Sequence, residues 1–224
     1  MIERGGTDKE IGRPVAFIES AWRRYTKHSR NKAQEIQGAI LPLAEKYRWN
    51  NPFLGTVLAG VFTDGSLEQL RSLGFHVLYF PYESLVAAFA SQGIDMAFDE
   101  DTPDRMFRET TAMIEKASAP KMSSIRDHLV AANRDAIGVF FDALTKRLAR
   151  RVTRVVVIPL YGRVNEFATI EDAVSFLDQH RIYEGSGDFR KYEIRVEFSN
   201  GDEVEASLEA KAKVKDFLAF VAKQ

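Results

Sequence analysis

Two apolar runs with a short helical pattern between them constrain the fold of this chain more than any other feature. FLGTVLAGVF follows Pro52 and is almost continuously apolar, and SLEQLRSLG and FHVLYF come after it. A near-continuous apolar run is typical of a strand that is covered on both faces, and Gly74 marks the end of the intervening helix. The pattern predicts a strand–helix–strand unit with a right-handed crossover. We therefore expect an α/β fold.

Composition places the chain among globular proteins and excludes several kinds of site. The 224 residues are 45% hydrophobic and 28% charged, with a net charge of -1 and no cysteine. Disulfides, thiolate zinc sites and cysteine nucleophiles are therefore excluded, and a nucleic-acid surface would need local segregation of charge. The N-terminus MIERGGTDKE has no apolar h-region, and no segment approaches 18 uninterrupted apolar residues. We expect a cytoplasmic protein with no membrane span.

Three regions differ in pattern along the chain. The acidic stretch DEDTPD at 99–104 predicts a loop and a boundary, and the sequence beyond it is helical in pattern to about Arg151. KYEIRVEFSNGDEVEASLE then alternates with a period of two around Asn200-Gly201, which predicts a β-hairpin. We expect an α/β core at 1–98, a helical segment at 99–151, and an α+β unit (strand–helix–hairpin–helix) at 152–224.

A strand and a long helix are predicted before the strand–helix–strand unit. RPVAFIESA has the pattern of a buried strand, and a helix is expected from Ser29 to about Tyr47. Pro42 lies inside that helix and is expected to kink or divide it. The residues of its apolar face are Ala33, Ile36, Ile40, Leu43 and Tyr47.

The end of the predicted strand and the residues after it are rich in groups that bind metal and phosphate. We place Glu19 at or near the end of the strand, where a carboxylate must be solvated, paired or bound to metal. An ion pair with a nearby cation, or exposure, is the plainer interpretation. Five basic residues follow with no acid among them: Arg23, Arg24, Lys27, Arg30 and Lys32. With Trp22 and Tyr25 interleaved, such a segment can present several groups to a phosphodiester beside a bound cation.

The predicted helix adds amide groups to this set. Arg30, Gln34 and Gln37 follow one another at spacings of four and three, which places them on one polar face opposite the apolar stripe. Lys32 and Glu35 form another pair, spaced by three. Glutamines on this face can donate hydrogen bonds to a backbone phosphate or position a water.

In the order of its elements, the region at 1–92 resembles the restriction-endonuclease-like PD-(D/E)xK nucleases. A hairpin turn precedes a strand with Glu19, and a basic loop, a helix with glutamines and the strand–helix–strand unit follow. The resemblance implies a mixed sheet flanked by helices, in which an acid on one hairpin strand and the Glu of the next bind Mg²⁺ or Mn²⁺. It also implies that a lysine helps to activate the attacking water.

The chain departs from the family pattern at two positions. Ala21 stands two residues after Glu19, where the family has lysine, so that role would pass to Lys27 or Lys32. No Pro-Asp precedes Glu19, and Asp8 is the nearest upstream aspartate, with Glu3 as the other option. Since little room remains before residue 14 for the family's first helix and strand, three alternatives stay open. The biological start lies upstream of Met1, the chain begins inside a nuclease core, or the domain is degenerate and does not cut.

We expect a DNA endonuclease of the restriction or host-defence type that hydrolyses phosphodiesters with Mg²⁺ or Mn²⁺ and can act as a homodimer. Glu19 and Asp8 would bind the metal, Lys27 or Lys32 would activate water, Gln34 and Gln37 would support them, and Arg23, Arg24 and Arg30 would bind DNA. The first alternative is a non-catalytic nucleic-acid-binding or assembly subunit with a degenerate nuclease fold. The second is an α/β module that binds a small ligand at its strand ends. The four histidines show no metal-ligand spacing.

Overall fold

The protein divides into two compact units, which a computed structural model describes over residues 1–24, 29–99, 101–160, 162–181 and 191–222. The units are Met1–Thr145 and Lys146–Gln224. The helical segment predicted for 99–151 is thus part of the first unit as far as Thr145. Over the described residues the protein is mixed α/β, which confirms the predicted class.

The first unit is built on a four-stranded mixed sheet. Its strands are β1 (Ile2–Arg4), β2 (Arg13–Arg23), β3 (Phe53–Gly60) and β4 (His76–Pro81), in that order across the sheet. β1 is antiparallel to β2, whereas β2, β3 and β4 are mutually parallel. The described helices of this unit are α1 (Ser29–Lys46), α2 (Asp64–Ser72), α3 (Tyr82–Ala90), α4 (Asp104–Glu115), α5 (Ala119–Ala132) and α6 (Arg134–Leu148), which crosses the unit boundary.

Helices α1 and α2 cover one face of this sheet. Their apolar residues pack with Phe17 and Leu58 of the strands in one buried cluster. Arg23 near the end of β2 contacts Glu35 early in α1, and Phe17 packs against Tyr47 just after α1. α1 therefore runs antiparallel to β2. It continues unbroken through the exposed Pro42, so the predicted division did not occur.

The opposite face of the sheet is packed against other helices of the same unit. Phe53 on β3 meets the edge of Phe140 on α6, with ring centroids 5.5 Å apart. Ala88 of α3 and Ile125 of α5 form a second buried cluster with Ile94. Coverage on both faces explains why β3 and β4 are apolar almost throughout.

The second unit has an antiparallel sheet with two helices on one face. The strands are β5 (Val152–Pro159), β6 (Asn165–Phe167), β7 (Tyr192–Phe198) and β8 (Glu203–Leu208), in the order β6-β5-β7-β8. Helices α7 (Ile170–Gln179) and α8 (Lys211–Ala222) pack on the inward side chains of β5 and β7. Gly201 has a φ of +86°, as the hairpin turn between β7 and β8 requires. No described helix combines the length and apolarity needed to cross a bilayer.

Candidate functional site

Glu19 lies inside β2, because the strand continues to Arg23 and does not end near Glu19 as the sequence suggested. Side chains alternate between the two faces of a strand. Phe17 and Ala21, two residues before and after Glu19, both pack in the cluster formed with α1 and α2. The half-buried Glu19 side chain therefore points to the same face, which α1 covers.

Thr56 is the neighbour of Glu19 on the adjacent parallel strand. Leu54 and Leu58 of β3 pack in the α1 and α2 cluster, so Thr56 shares the face of Glu19. The register pairs Glu19 with Thr56 and Thr56 with Val77, which leaves Glu19 as the polar cross-strand neighbour of Thr56. Thr56 is 0% exposed, and its Oγ1 atom has no hydrogen-bond partner. Within the described part of the chain, the Glu19 carboxylate has neither a hydrogen bond nor an ion pair.

The helix that covers this face contributes a third polar group. Gln37 is half-buried on α1, between the buried Ile36 and Ile40, and its Nε2 atom is buried without a partner. Of the three residues predicted to share one polar face of α1, Arg30 and Gln34 are exposed, whereas Gln37 is half-buried. Thr56 and Gln37 thus each have a buried polar atom without a hydrogen-bond partner.

Charged side chains lie where the start of α1 meets the end of β2. Glu35 lies 3.1 Å from the half-buried Lys32 amine and 3.4 Å from an Arg23 guanidinium nitrogen. Lys32 and Arg23 therefore both contact the carboxylate of Glu35. Lys27 lies outside the residues that the structure describes.

Arg24 is held by protein groups of the first unit. Its guanidinium lies over the Phe107 ring at 3.6 Å and near the Phe98 ring at 5.6 Å, and it donates a 2.6 Å hydrogen bond to the Asp99 carbonyl oxygen. Arg30 is different, since it is exposed on α1 and makes no hydrogen bond or ion pair with any described residue. Of the predicted DNA-binding arginines, Arg30 is the one best placed to meet a phosphate.

Asp8 is not brought near Glu19. It is exposed in the turn before β2, next to Thr7, whose side chain accepts from the backbone N–H of Glu10. With a rise of about 3.3 Å per residue, Glu19 lies roughly 20 Å along β2 from the strand's start. The other option, Glu3, accepts a 3.1 Å hydrogen bond from the Gly12 N–H at the same end of the hairpin. Neither acid shares a site with Glu19.

The residues around Glu19 fit a hard cation only if the cation keeps most of its water. Over the described residues, no group of three or more His, Cys, Asp or Glu side chains could hold a metal ion. Mg²⁺ commonly retains several waters and binds through one or two carboxylates plus substrate phosphates. The unpaired Glu19 carboxylate can supply one such ligand, and the Thr56 hydroxyl beside it can hold that carboxylate or a water.

The carboxyl ends of the parallel strands form a second polar region. Tyr79 donates a 2.8 Å hydrogen bond to the Gly60 carbonyl oxygen. Burial, together with the negative charges of Glu83 and Asp64, raises the pKa of the Tyr79 phenol. Glu83 lies in the first turn of α3, as expected of a charge that stabilises a helix start. These contacts brace the ends of β3 and β4.

The second unit carries an open groove of about 460 Å³ on the sheet face opposite its helices. Arg154 lies there 2.6 Å from Glu166 and 2.8 Å from Glu197. Its hydrogen bond and charge hold the pKa of Glu166 below the usual range. Arg195 is likewise paired with Glu203 and Glu205, each at 2.8 Å. The arginines of this groove are thus already neutralised by carboxylates.

Comparisons of the chain with protein-family models, curated proteins and solved structures found no match. The site therefore rests on its own geometry. The sequence analysis missed Thr56, although a threonine inside the apolar run FLGTVLAGVF was a visible break in the pattern. What it could not show was that Thr56 and Glu19 are neighbours, because that depends on the register of two strands distant in sequence.

Proposed function

We propose that the first unit is a restriction-endonuclease-like domain that hydrolyses DNA phosphodiesters with a divalent cation bound at Glu19. The order of elements supports this proposal. An antiparallel hairpin, β1 and β2, leads into α1 and then into β3, which is parallel to β2. This is the order on which the resemblance to PD-(D/E)xK nucleases rests, with Glu19 on the second hairpin strand.

The observation that carries the proposal is the half-buried carboxylate of Glu19, which is unpaired among the described residues, beside the orphan hydroxyl of Thr56. A buried hydroxyl without a hydrogen bond is costly, and the half-buried carboxylate beside it is free of protein partners among the described residues. A ligand that contacts both groups would account for this arrangement. A cation bound there would stabilise negative charge on the phosphate and lower the pKa of a water.

The chain's own residues would supply the remaining interactions. Arg30 and Gln34 are exposed on α1 and can donate hydrogen bonds to the DNA backbone. Lys32 is half-buried near the start of the helix and is paired with Glu35, which also contacts Arg23 at the end of β2. The guanidinium of Arg24 already contacts the Phe107 ring and the Asp99 carbonyl oxygen, so we assign Arg24 a structural role.

Plasmid cleavage tests the proposal. Supercoiled DNA is incubated with the full chain and Mg²⁺ or Mn²⁺, with EDTA as the control. We expect nicked or linear DNA from the wild type and a loss of rate of at least about 100-fold for Glu19→Gln. Glu45→Gln is the matched control, since Glu45 is an exposed glutamate of α1 that forms an ion pair with Arg48 in the adjacent turn. Undiminished cleavage by Glu19→Gln would refute the assignment.

A non-catalytic DNA-binding or assembly subunit is the second candidate. It is favoured by the lack of a second carboxylate beside Glu19 among the described residues, since Asp8 and Glu3 lie at the other end of β2. This function predicts DNA binding that weakens steeply with salt but no cleavage with either cation. Fluorescence anisotropy over a salt series, run beside the plasmid assay, separates the two functions.

A further inference from the structure

The layer between α1 and the first sheet is apolar except at a few positions, and the hydroxyl of Thr56 is a polar group there whose hydrogen-bonding capacity is unused. Tyr79 also lies on this face, but its hydroxyl donates to the Gly60 carbonyl oxygen. Thr56 has no such bond, although it is fully buried. Valine has nearly the same shape as threonine and would fill this position without an unsatisfied hydroxyl. A threonine here lowers the stability of the fold, which suggests that its hydroxyl serves another purpose.

The strand register limits what that purpose can be. Thr56 is flanked in its row by Glu19 on β2 and by Val77 on β4. Adjacent strands lie about 4.8 Å apart, so the carboxylate of Glu19 is the acceptor within reach of the Thr56 hydroxyl across the sheet. Rotation of the Thr56 side chain from one staggered rotamer to another is enough to direct its hydroxyl towards this carboxylate.

We propose that Thr56 is a positioning residue for Glu19, whose carboxylate accepts a hydrogen bond from the Thr56 hydroxyl when a divalent cation is bound. The inference rests on the proposed function, because it takes Glu19 to be the cation ligand. Hydrogen bonds to a ligating carboxylate fix its orientation, and their removal typically weakens metal binding about 10- to 100-fold. In the absence of the cation, the same hydroxyl is left without a partner and destabilises the protein.

This dual role predicts opposite effects of one substitution on two measurements. We expect Thr56→Val to raise the Tm of the full chain in EDTA by about 2–4 °C, because it removes an unsatisfied buried hydroxyl at nearly constant volume. We expect the same variant to bind Mn²⁺ about 10-fold more weakly in isothermal titration calorimetry. Thr56→Ser keeps the hydroxyl and should retain Mn²⁺ affinity within about two-fold of the wild type. If Thr56 had only a structural role, Thr56→Val would not combine a higher Tm in EDTA with weaker Mn²⁺ binding.

Glu19→Gln distinguishes failure of this inference from failure of the proposed function. If Mn²⁺ binding is lost in Glu19→Gln but is unchanged in Thr56→Val, Glu19 holds the cation and the positioning role of Thr56 is overturned. If Glu19→Gln binds Mn²⁺ as the wild type does, or the wild type binds none, both proposals are overturned. A lower Tm for Thr56→Val in EDTA would show that the hydroxyl is already satisfied without the cation, which also overturns the inference.

Discussion

In the second unit two arginines of the exposed sheet face, Arg154 and Arg195, each lie between two glutamates, whereas in the first unit Glu19 and Thr56 lie side by side without a partner among the described residues. Arg154 and Arg195 have their charge neutralised in place. Glu19 and the fully buried Thr56 have no such partner among the described residues. Polar groups with satisfied partners stabilise a surface, while unsatisfied ones in a packed layer lower stability. The contrast places the candidate chemistry in the first unit and a structural role on the second.

Asp202 gives the largest expected stability effect outside the candidate site and tests the structural half of this contrast. Its carboxylate lies 2.7 Å from Arg147 and 3.0 Å from Arg150, whose side chain is 5% exposed and stacks on the Phe198 ring. Asp202→Ala leaves a buried guanidinium with less compensating charge. We expect the free energy of unfolding in urea to fall by about 2–3 kcal/mol, near the lower limit for a buried ion pair that loses one partner.

The control for Asp202 is an ion pair in solvent. Glu205 pairs with Arg195, and both side chains are at least half exposed. Glu205→Ala should change the free energy of unfolding by less than about 0.5 kcal/mol, because exposed ion pairs contribute little. Neither variant should alter plasmid cleavage when the assay is run at a temperature at which that variant is folded. Equal destabilisation by Asp202→Ala and Glu205→Ala would show that burial does not determine how much an ion pair of this unit contributes to stability.

Arg24 extends the comparison to the first unit, because its side chain is held by protein groups, as the side chains of Arg154 and Arg195 are in the second unit. Arg24→Met keeps the length of the side chain but loses the cation–π contact with Phe107 and the hydrogen bond to the Asp99 carbonyl. We expect a loss of about 1–2 kcal/mol in urea unfolding. DNA affinity, measured by anisotropy, should stay nearly unchanged.

Arg30→Met is the matched comparison for Arg24. Arg30 is exposed and makes no contact with a described residue that its loss would disturb. The substitution should leave stability unaltered and reduce the salt slope of DNA binding by about one. The reverse pattern, with DNA binding dependent on Arg24 and indifferent to Arg30, would contradict the roles assigned from their contacts.

The smallest expected effect concerns the pH dependence of the second unit. Burial, and then the positive charge of Lys211, lower the pKa of His180 from its ordinary value of 6.5. The unfolded chain therefore takes up a proton first as the pH falls. The stabilisation is complete above 6.5 and is lost as the pH falls through the folded pKa. We expect the Tm to drop between about pH 7.5 and pH 5.5 in the wild type, and to drop less in His180→Gln. An equal drop in Tm in the wild type and in His180→Gln would exclude His180 as a source of this pH dependence.

Local patterns in the sequence were sufficient to predict most elements of both units. The strand–helix–strand unit appears as β3, α2 and β4, and the hairpin turns at Asn200-Gly201. The helical pattern predicted beyond residue 104 appears as α4, α5 and α6. These features depend on apolar periodicity, caps and turn residues, which act over a few positions and can be read without the fold.

The composition of the candidate site was only partly accessible in this way. Glu19 was identified because a carboxylate in an apolar strand is unusual. The role of Arg24 was missed, since its partners at 98–107 are remote in sequence and approach only through folding. Gln37 was placed on one polar helix face with Arg30 and Gln34, because the three follow one another at helical spacing. In the folded unit it is half-buried, and its Nε2 atom is buried without a partner.

The sequence by itself determined the class of fold, the position of most strands and helices, and the identity of the carboxylate at the centre of the proposed site. Only the tertiary structure decided which polar groups are satisfied. The pairing of Glu19 with Thr56 depends on the register of two parallel strands that α1 separates along the chain. Register is set by the packing of whole faces rather than by adjacent residues. A one-residue slip would place Thr56 on the opposite face and leave Glu19 beside a different neighbour.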